Sequence, residues 1–394
     1  MKFISDNLEN LIIKWRRHIH ENPELSNQET NTAKYIKDEL NSCRNIEFKE
    51  LTKNSVIGYL KGKNDGPTIG LRADMDALPI EENTGLSFSS KYKGIMHACG
   101  HDAHTAMLMG AATVLNEIKD SINGNIKFIF QPSEEEQPGG AIPLIKKGVL
   151  EDVDMIFGQH IMLIGDLEPG TIAINKGPFM ASGDIIEITL KGKGGHSSTP
   201  EKSINPIILG QKIINLINEI NNYILSPYDI SSITICKFIS GNAPNIIPEY
   251  ANISGSIRVF DNKNRDIIEN KIRGIIDGVC KIYGAEYEFN YIRGYDPVIN
   301  NDLASDIVIN TAVELFGEEK IFFTKPIMAS EDFSSYLNFK PGAFFILGGG
   351  TVKDGYNLLN HSPGFKIDER ALKFGTEMLV NIAINALKEL KQKD

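Results

Sequence analysis

The chain has 394 residues, of which 41% are hydrophobic and 23% charged, and its formal net charge is −10. This length exceeds the size at which one hydrophobic core stops growing, so we expect two domains, and the ordinary composition excludes a disordered chain. The negative charge is spread along the chain, which argues against a surface for nucleic acid or anionic lipid. We therefore expect no nucleic-acid partner and no membrane partner.

The sequence carries no pattern typical of secreted or membrane-spanning proteins. Residues 1–10 are polar and acidic, unlike a signal peptide, and no apolar run approaches the length of a membrane span. The four cysteines, Cys43, Cys99, Cys236 and Cys280, are far apart and follow no disulfide pattern. We expect a cytoplasmic location.

Helices and strands alternate in the predicted elements of the first 160 residues. Asp6 with Glu9, and Ser26 with Glu29, match the capping box that begins a helix, so each pair predicts an amphipathic helix. Apolar runs predict strands at residues 55–60, 68–71, 126–130 and 155–157, with a turn at residues 64–67 and a helix at residues 105–118. This alternation indicates an α/β sheet.

The middle of the chain has a different pattern. It predicts strands at residues 184–190, 231–239, 251–260 and 285–292, and helices at residues 203–224 and 263–283. The order β-α-β-β-α-β is that of a ferredoxin-like unit. Because patterns of the first type resume afterwards, we predict an α/β domain at residues 1–182 and 294–394, interrupted by a smaller ferredoxin-like domain at residues 183–293.

The densest group of chemically active side chains lies at residues 96–104, with the sequence MHACGHDAH, directly before a predicted helix. Thiol, imidazole and carboxylate groups are the ones with which proteins hold metal ions. Thiolate and imidazole suit zinc, whereas imidazole and carboxylate also suit manganese, so the donor types leave the metal open. A buried cysteine with polar groups that cap the helix explains this run equally well when it is taken alone.

Ionisable side chains also follow several predicted strands. The acidic triplet at residues 134–136, the histidine His160 and the pair Asp74 and Asp76 each come at the end of a strand. An acidic loop is usually solvated, and an isolated histidine is more often structural than a ligand. However, α/β sheets place their binding sites at the carboxyl ends of the strands. The joint pattern therefore predicts a site at this edge.

Ordered motifs run along nearly the whole chain. They are LRADMDALP at residues 71–79, MHACGHDAH at 96–104, FQPSEE at 130–135, GGA at 139–141, GPFMAS at 177–182, GGH at 194–196, NIIP at 245–248, ASEDF at 329–333 and HSP at 361–363. Together they resemble the dinuclear metallo-amidohydrolases of metallopeptidase family twenty, in the branch of hippurate hydrolases, N-acyl-L-amino acid amidohydrolases and indole-acetyl-amino-acid hydrolases. The resemblance implies a zinc-peptidase-like α/β catalytic domain with an inserted ferredoxin-like domain that serves as lid and dimerisation domain.

The same resemblance implies a site with two divalent metal ions per subunit, Mn²⁺ or Zn²⁺ or else Co²⁺ or Ni²⁺. The implied metal ligands are Cys99, His101, Glu135, His160 and His361. Glu134 is implied as the general base, and His196 as a histidine that reaches the site of a neighbouring subunit and stabilises the oxyanion. Asn245 and Arg258 are implied as contacts for the carboxylate or carbonyl of the substrate, and Asp74 is expected beside the ligands.

The implied reaction is hydrolysis of the amide bond of an N-acyl amino acid by a homodimer that associates through the lid domain. A dipeptidase or aminopeptidase of the same family is the nearest alternative, but the sequence offers no acidic residue that can be assigned to a free amine. A catalytically silent metal-binding dimer is a third interpretation. The presence of Glu134 argues against it, because a silent protein has no chemical need for a general base.

Overall fold

The structure is a computed structural model that describes residues 2–163 and 166–391. The helices are α1 (Asp6–Glu21), α2 (Thr30–Glu39), α3 (His101–Glu117), α4 (Ala141–Lys146), α5 (Pro206–Asn218), α6 (Ile220–Tyr223), α7 (Asn262–Tyr283), α8 (Asp302–Phe316), α9 (Ser334–Leu337) and α10 (Arg370–Lys391). None of these helices is both long enough and apolar enough to cross a lipid bilayer.

Residues 2–163 and 166–391 also form sixteen strands. They are β1 (Ile46–Lys49), β2 (Val56–Lys61), β3 (Asn64–Asp74), β4 (Asn123–Gln131), β5 (Met155–Met162), β6 (Ile172–Ile174), β7 (Gly177–Met180), β8 (Asp184–Lys191), β9 (Gly195–His196), β10 (Ser231–Ser240), β11 (Ile246–Ile247), β12 (Tyr250–Val259), β13 (Glu286–Ile292), β14 (Val298–Asn300), β15 (Ile321–Phe323) and β16 (Gly342–Gly348). The described residues fall into two compact units. The second unit is Met180–Val298 with Pro326–Glu331, and the first unit is the remainder.

The first unit is built on an eight-stranded sheet in the order β1-β2-β4-β3-β5-β16-β6-β15. Its centre is parallel, because β3 pairs in parallel with β4 and β5, and β16 pairs in parallel with β5. Both β5 and β16 are buried along their whole length, as expected of parallel strands that are covered on both faces. Helices α1, α3 and α10 contribute apolar side chains to the same core. The predicted α/β class is confirmed.

Helix α1 begins where the sequence predicts, but its capping residue differs. The N-cap is Ser5, whose hydroxyl accepts a hydrogen bond from the backbone N–H of Leu8 at 3.3 Å. The predicted capping box of Asp6 and Glu9 is therefore wrong. The apolar face is as predicted, and Ile12, Trp15 and Ile19 are buried.

Helix α2 begins at Thr30, and its predicted capping signal is also wrong. The N-cap position belongs to Glu29, whose side chain makes no capping hydrogen bond to the helix. The hydroxyl of Ser26 instead donates to Asp76 Oδ2 at 2.6 Å, and Glu29 accepts the backbone N–H of Ser133 at 2.7 Å. Both side chains are thus committed to partners that lie far away in the sequence.

Two further predicted elements differ in the structure. Residues 64–67, predicted as a turn, belong to β3, where a register shift between Asn64 and Thr68 accommodates them. The predicted helix at residues 203–224 is divided into α5 and α6. Pro206 begins α5, where its missing N–H removes no hydrogen bond, and the side chain of Asn205 caps this helix by accepting from Ile207 N–H at 3.0 Å.

The second unit contains a four-stranded sheet in the order β10-β12-β8-β13, in which every neighbouring pair is antiparallel. Helices α5 and α7 pack their apolar side chains against it, among them Leu209, Ile213, Ile268 and Ile272. With α5 between β8 and β10, and α7 between β12 and β13, this is the ferredoxin-like arrangement that the sequence predicts. The short antiparallel pair β9 and β11 is an additional feature, which the sequence pattern does not reveal.

Candidate metal centre

The centre lies in the first unit, where parallel strands end side by side. Asp74 is the last residue of β3, Glu134 follows the end of β4 by three residues, and His160 lies near the end of β5. Because β3 lies between β4 and β5 in the sheet, these side chains come together at one edge. Helix α3 adds His101 as its first residue.

All five predicted ligands and Glu134 occur in three overlapping groups of donor atoms. The groups, in each of which the donor atoms lie within 4.8 Å of one another, are Cys99 with His101 and His160, Cys99 with Glu135 and His361, and His101 with Glu134 and Glu135. Cys99 Sγ lies 3.3 Å from His160 Nε2, and Glu135 Oε1 lies 3.1 Å from His361 Nε2 and 3.9 Å from His101 Nε2. The sequence prediction therefore selected residues that the fold brings together.

The backbone around Cys99 explains why two donors can be so close in the sequence. Gly100 has a φ of +90°, and a Cβ atom at this position would lie 2.5 Å from Ile161 Cγ2. Only glycine fits this turn, which carries the chain from Cys99 into α3. His361 has a φ of +67°, and its backbone N–H donates to Ala98 O at 2.7 Å. This bond holds a distant segment of the chain against the turn.

Hydrogen bonds to the far ring nitrogens orient two of the imidazoles. His101 Nδ1 lies 2.9 Å from Asp76 O and 3.2 Å from Asp76 Oδ1, and His160 Nδ1 lies 2.9 Å from Ile161 O. Since only acceptors face the Nδ1 atoms, these atoms carry a proton, and in the neutral ring the Nε2 lone pair points into the centre. Burial would lower the pKa of His101, but the negative charge of Asp74 and the hydrogen bond to Asp76 help to outweigh burial and raise this pKa well above its usual value, so a metal ion at Nε2 would take the place of a proton. Metal-binding histidines are oriented in this way by groups behind them.

One buried ring nitrogen in the centre, His101 Nε2, has no hydrogen-bond partner among the described residues. Glu135 Oε1 faces it at 3.9 Å and forms an ion pair with His361 Nε2 at 3.1 Å. Buried polar atoms are almost always hydrogen-bonded, so a ring nitrogen and a carboxylate oxygen that face each other at this distance need an explanation. A cation between a neutral imidazole and a carboxylate would satisfy both, and the thiol and imidazole donors nearby suit a divalent transition metal. The residues present therefore fit a metal site.

The ionisation of the centre is consistent with a site for cations. Cys99 and then Glu135, as hydrogen-bond partners, raise the pKa of His361 to about 10. Burial raises the pKa of the Cys99 thiol, and the charge of Glu135 adds to this effect. Groups that hold a proton so firmly on a neighbouring histidine will also attract a divalent ion, which competes with protons for the same atoms.

His104 lies next to the centre, but its ring nitrogens are already used. Its Nδ1 lies 2.6 Å from Asp74 Oδ1, and its Nε2 accepts the backbone N–H of Ile161 at 2.8 Å. His104 is therefore a structural histidine. Asp74 also receives Arg72 Nη1 at 2.6 Å, so this carboxylate is occupied by two protein donors, which agrees with its expected place beside the ligands.

Arg72 is the most thoroughly buried cation of this edge, and its guanidinium joins three segments of the chain. Besides Asp74, it donates from Nε to Gln131 Oε1 at 3.0 Å and from Nη2 to Asp332 Oδ1 at 2.6 Å. The side chains of Arg72, Asp74 and Asp332 are completely buried. The charged groups are thus paired as a network, which a buried charge requires.

Asp76 is a residue whose importance the sequence analysis missed. Its Oδ2 accepts the backbone N–H of Glu135 at 2.9 Å and the hydroxyl of Ser26 at 2.6 Å, while its Oδ1 and backbone O face His101. Burial would raise the pKa of Asp76, but these hydrogen bonds outweigh burial and lower it. The available signal was the pair of carboxylates, Asp74 as the last residue of β3 and Asp76 two residues after it.

The predicted residues His196 and Asn245 lie in the second unit. His196 is exposed and pairs with Ile246 in the β9–β11 ribbon, and Asn245 O accepts the backbone N–H of Ser197 at 3.2 Å. His196 Nδ1 accepts the backbone N–H of Ser198 at 3.1 Å. In the neutral ring the proton is therefore on Nε2, and this exposed atom is a hydrogen-bond donor.

Arg258, on β12 of the second unit, has a buried donor without a partner. Its Nη1 atom makes no hydrogen bond among the described residues. A Cβ atom on Gly183 would lie 3.2 Å from this Nη1 and 2.8 Å from Ser330 Oγ, so the guanidinium lies directly against the glycine backbone. A buried guanidinium N–H donor without a partner is suited to an anionic ligand.

Comparison with known proteins agrees with this geometry. The sequence profile of the peptidase family M20/M25/M40 matches residues 70–385. The chain belongs to this family. It is therefore a hydrolase that acts on amide or peptide bonds, and the resemblance that the motifs suggested is confirmed.

Three relatives cover most of this family member. The chain is 42% identical over 372 residues to thermostable carboxypeptidase 1 of Saccharolobus solfataricus, with 93% of each chain covered. It is 40% identical over 302 residues to N-acyl-L-amino acid amidohydrolase of Geobacillus stearothermophilus, which covers 77% of this chain and 81% of the relative. The crystal structure of Bacillus subtilis YxeP, described as a dinuclear metal-binding peptidase of family M20, superimposes with a TM-score of 0.86 at 34% identity and covers 98% and 99% of the two chains.

Proposed function

We propose that the protein is an amidohydrolase that uses two divalent metal ions to remove the acyl group from N-acyl amino acids. The observation that carries this proposal is that the buried atoms His101 Nε2 and Glu135 Oε1 face each other at 3.9 Å without a hydrogen bond between them, in one group with Glu134. The similarity to an N-acyl-L-amino acid amidohydrolase and to a dinuclear metal-binding peptidase supports the substrate class and the number of ions.

The ions would be held by the thiol, imidazole and carboxylate donors of the centre. These are Cys99, His101, Glu135, His160 and His361. When bound, the ions would polarise the scissile carbonyl and lower the pKa of the attacking water. The mixed donor set suits Mn²⁺ or Zn²⁺, with Co²⁺ and Ni²⁺ as the alternatives.

Glu134 would move the proton. Its residue is 7% exposed, so its carboxylate is sheltered from bulk water while it lies in one donor group with His101 and Glu135. It would accept a proton from the attacking water and then deliver that proton to the nitrogen of the departing amine, which is a poor leaving group until it is protonated.

His196 would donate a hydrogen bond to the oxyanion that forms on the scissile carbonyl. The contact between Ser198 N–H and His196 Nδ1 supports this role, because it leaves the proton on the exposed Nε2 atom. We include in the proposal a homodimer that associates through residues 183–293, in which His196 of one subunit serves the metal centre of the other. Closed two-fold dimers supply such a residue to both sites symmetrically.

Arg258 and Asn245 would recognise the carboxylate of the substrate. The unpaired Nη1 atom of Arg258 supports this assignment, since a guanidinium binds a carboxylate through parallel N–H donors. Recognition of a carboxylate also relates the proposed reaction to that of a carboxypeptidase. An N-acyl amino acid and a peptide present the same carboxylate and the same scissile amide, and they differ in the acyl group, which in a peptide is a larger aminoacyl group.

This relation makes a carboxypeptidase the second candidate, which the 42% identity to a thermostable carboxypeptidase favours. The dipeptidase and aminopeptidase alternatives are less well supported, because both need an acidic group for a free amine. The cytoplasmic location is part of the proposal as well. A centre that uses Cys99 as a ligand needs a reduced thiol, which a reducing compartment maintains.

A substrate screen on metal-depleted protein, reloaded with one metal at a time, tests the proposal. The substrates are N-acetyl and N-benzoyl amino acids, blocked dipeptides of the same C-terminal residue, free dipeptides, and the C-terminal amide of the best substrate. We expect N-acyl amino acids to be hydrolysed fastest and the amide to be a poor substrate. Preference for blocked dipeptides would establish the carboxypeptidase, and hydrolysis of free dipeptides alone would refute both candidates.

A further inference from the structure

We propose that Glu29 is a positioning residue, which holds the turn that carries Glu134 and Glu135 in its observed conformation. This inference deepens the proposed function and rests on it for the roles of the two carboxylates. Glu29 lies in the segment before α2, more than a hundred residues from the turn in the sequence. None of the motifs that indicated the family includes it.

The turn needs support because its backbone is strained. Ser133, which lies between β4 and Glu134, is buried and has a φ of +58°. A residue with a Cβ atom rarely adopts this left-handed conformation unless its surroundings impose it. If Ser133 relaxed to a negative φ, the chain direction would change at the residue directly before Glu134.

Glu29 provides the contact that stabilises this conformation. The backbone N–H of Ser133 donates to Glu29 Oε1 at 2.7 Å, and the same oxygen accepts the backbone N–H of Asn27 at 3.1 Å. Asn27 Nδ2 in turn donates to Ser133 Oγ at 3.0 Å. The turn is therefore held through its backbone by Glu29 and through its side chain by Asn27.

The position of Glu29 is itself fixed. It is completely buried, and Asn54 Nδ2 lies 3.3 Å from its Oε2 and 3.2 Å from Asn27 O. Asn27 and Asn54 both have positive φ angles, of 65° and 66°. Three residues with left-handed backbone, from three separate segments of the chain, are thus joined by one carboxylate.

The same segment also reaches the second carboxylate of the turn. Ser26 donates to Asp76 Oδ2, and that oxygen accepts the backbone N–H of Glu135. Residues 26–29 therefore hold the backbone on both sides of Glu134. We infer that the segment before α2 sets the direction of the general base relative to the metal ligands.

The contact depends on the reach of the side chain rather than on its charge. An uncharged amide of the same length can still accept the Ser133 N–H, whereas a carboxylate one methylene shorter cannot reach it. The environment agrees with this, because burial raises the pKa of Glu29 to about 7, so that an uncharged group is tolerated near neutral pH. The pair Glu29→Gln and Glu29→Asp therefore separates reach from charge.

The experiment measures kcat, KM, metal content and thermal midpoint for both variants with the best substrate. We expect Glu29→Asp to lower kcat about 10- to 100-fold with KM changed less than about threefold, and Glu29→Gln to stay within about threefold of the native kcat. Glu24→Asp is the matched control. Glu24 also accepts backbone N–H groups, of Asn31 and Thr32, but has no contact with the turn.

Each other outcome would overturn the inference. If Glu29→Gln lost as much turnover as Glu29→Asp, the charge would matter and not the reach. If both variants kept native kcat, Glu29 would have no positioning role. If Glu24→Asp lowered the thermal midpoint and lowered kcat as much as Glu29→Asp does, the loss of kcat in Glu29→Asp would be explained by lost stability alone.

A crystal structure of Glu29→Asp separates this inference from the proposed function. We expect Ser133 to leave the positive φ region in that variant. A retained positive φ would refute the positioning role whatever the enzyme hydrolyses. Conversely, if the native protein hydrolysed no amide in the screen, the proposed function would fail and the φ of Ser133 would still decide the role of Glu29.

Discussion

The two units of the molecule present their polar side chains in different ways. In the first unit, β5 and β16 are buried throughout, and reactive groups come only where the strands end. In the second unit, β8 alternates buried and more exposed residues, and the predicted catalytic histidine lies in a two-residue strand outside the main sheet. The reactive side chains of the first unit are held by buried partners, whereas His196 is held by Ser198 in its own turn. Variants in the two units should therefore have different consequences.

The largest effect that we expect comes from Glu134→Gln in the first unit. The amide has the same shape but cannot accept a proton, so kcat should fall by about 10²- to 10⁴-fold while the metal content stays native. Steady-state kinetics and elemental analysis measure both quantities. Near-native turnover in this variant would remove Glu134 from the role of general base.

The next effect is expected in the second unit, where a mixed dimer should regain activity if His196 acts on the site of the other subunit. A Glu134→Gln chain and a differently tagged His196→Ala chain are co-expressed, and the mixed dimer is purified through both tags. If His196 acts across the interface, one of the two sites contains an intact Glu134 and an intact His196, and about half of the native activity returns. The two parent homodimers are the controls.

A mixed dimer that is as inactive as its parents would contradict this prediction, because no site would then be complete. The His196→Ala parent homodimer also tests whether a substitution in the second unit leaves the metal centre intact. His196→Ala should keep the native metal content and thermal midpoint, since the side chain is exposed and its single ring contact is to Ser198 in the same turn.

Loss of a ligand should affect metal binding in addition to rate. We expect Cys99→Ser and His361→Ala each to weaken metal affinity by about tenfold or more, because the remaining donors hold the ion less tightly. Cys43→Ser is the control for the first variant, since Cys43 is also buried but contacts Thr113 at a distance from the centre. Metal titration after dialysis measures the affinity, and native affinity would place the altered residue outside the ligand set.

The smallest effect on turnover is expected for Glu29→Gln, which should instead change how stability depends on pH. Burial raises the pKa of Glu29 from its ordinary value of 4.5 to about 7, so in this pH window the folded chain holds a proton that the unfolded chain has lost. The free energy of unfolding of the native chain therefore falls as the pH rises, by at most about 3 kcal/mol from this group.

The variant lacks this titration, so its stability relative to the native chain should increase between pH 5 and pH 8. Denaturant unfolding of both metal-depleted chains at the two pH values measures the difference. Parallel pH dependence of the two chains would show that Glu29 has an ordinary pKa in the folded state.

The sequence was sufficient for elements whose signal is local. Strands β4 and β5 and helix α7 are near their predicted places, because apolar runs and helical spacing do not depend on distant partners. Ser26 and Glu29 were misinterpreted for the opposite reason. As the first and last residues of a capping box they match the local pattern, but their partners Asp76 and Ser133 are 50 and 104 residues away.

The donor groups that the fold brings together at the candidate site could be anticipated from the sequence, and the residues that orient them could not. Cys99 and His101 stand in a dense motif, and Glu135 follows a strand, so composition and resemblance both indicate them. The roles of Asp76 and Glu29 are visible only in hydrogen bonds that the fold creates. A local sequence pattern predicts which side chains can bind a metal or transfer a proton. The residues that orient these side chains are identified from hydrogen bonds in the folded structure.

The buried network around Arg72 has a consequence for synthesis of the chain on the ribosome. Asp332 follows the inserted unit in the sequence, 260 residues after Arg72 and 201 residues after Gln131. Until Asp332 is made, Arg72 keeps Asp74 but its Nη2 donor has no acceptor, and a buried donor left without its partner costs about 1–3 kcal/mol. The catalytic edge of the first unit should therefore close late in translation, whereas the second unit, which is nearly continuous in sequence, can fold earlier.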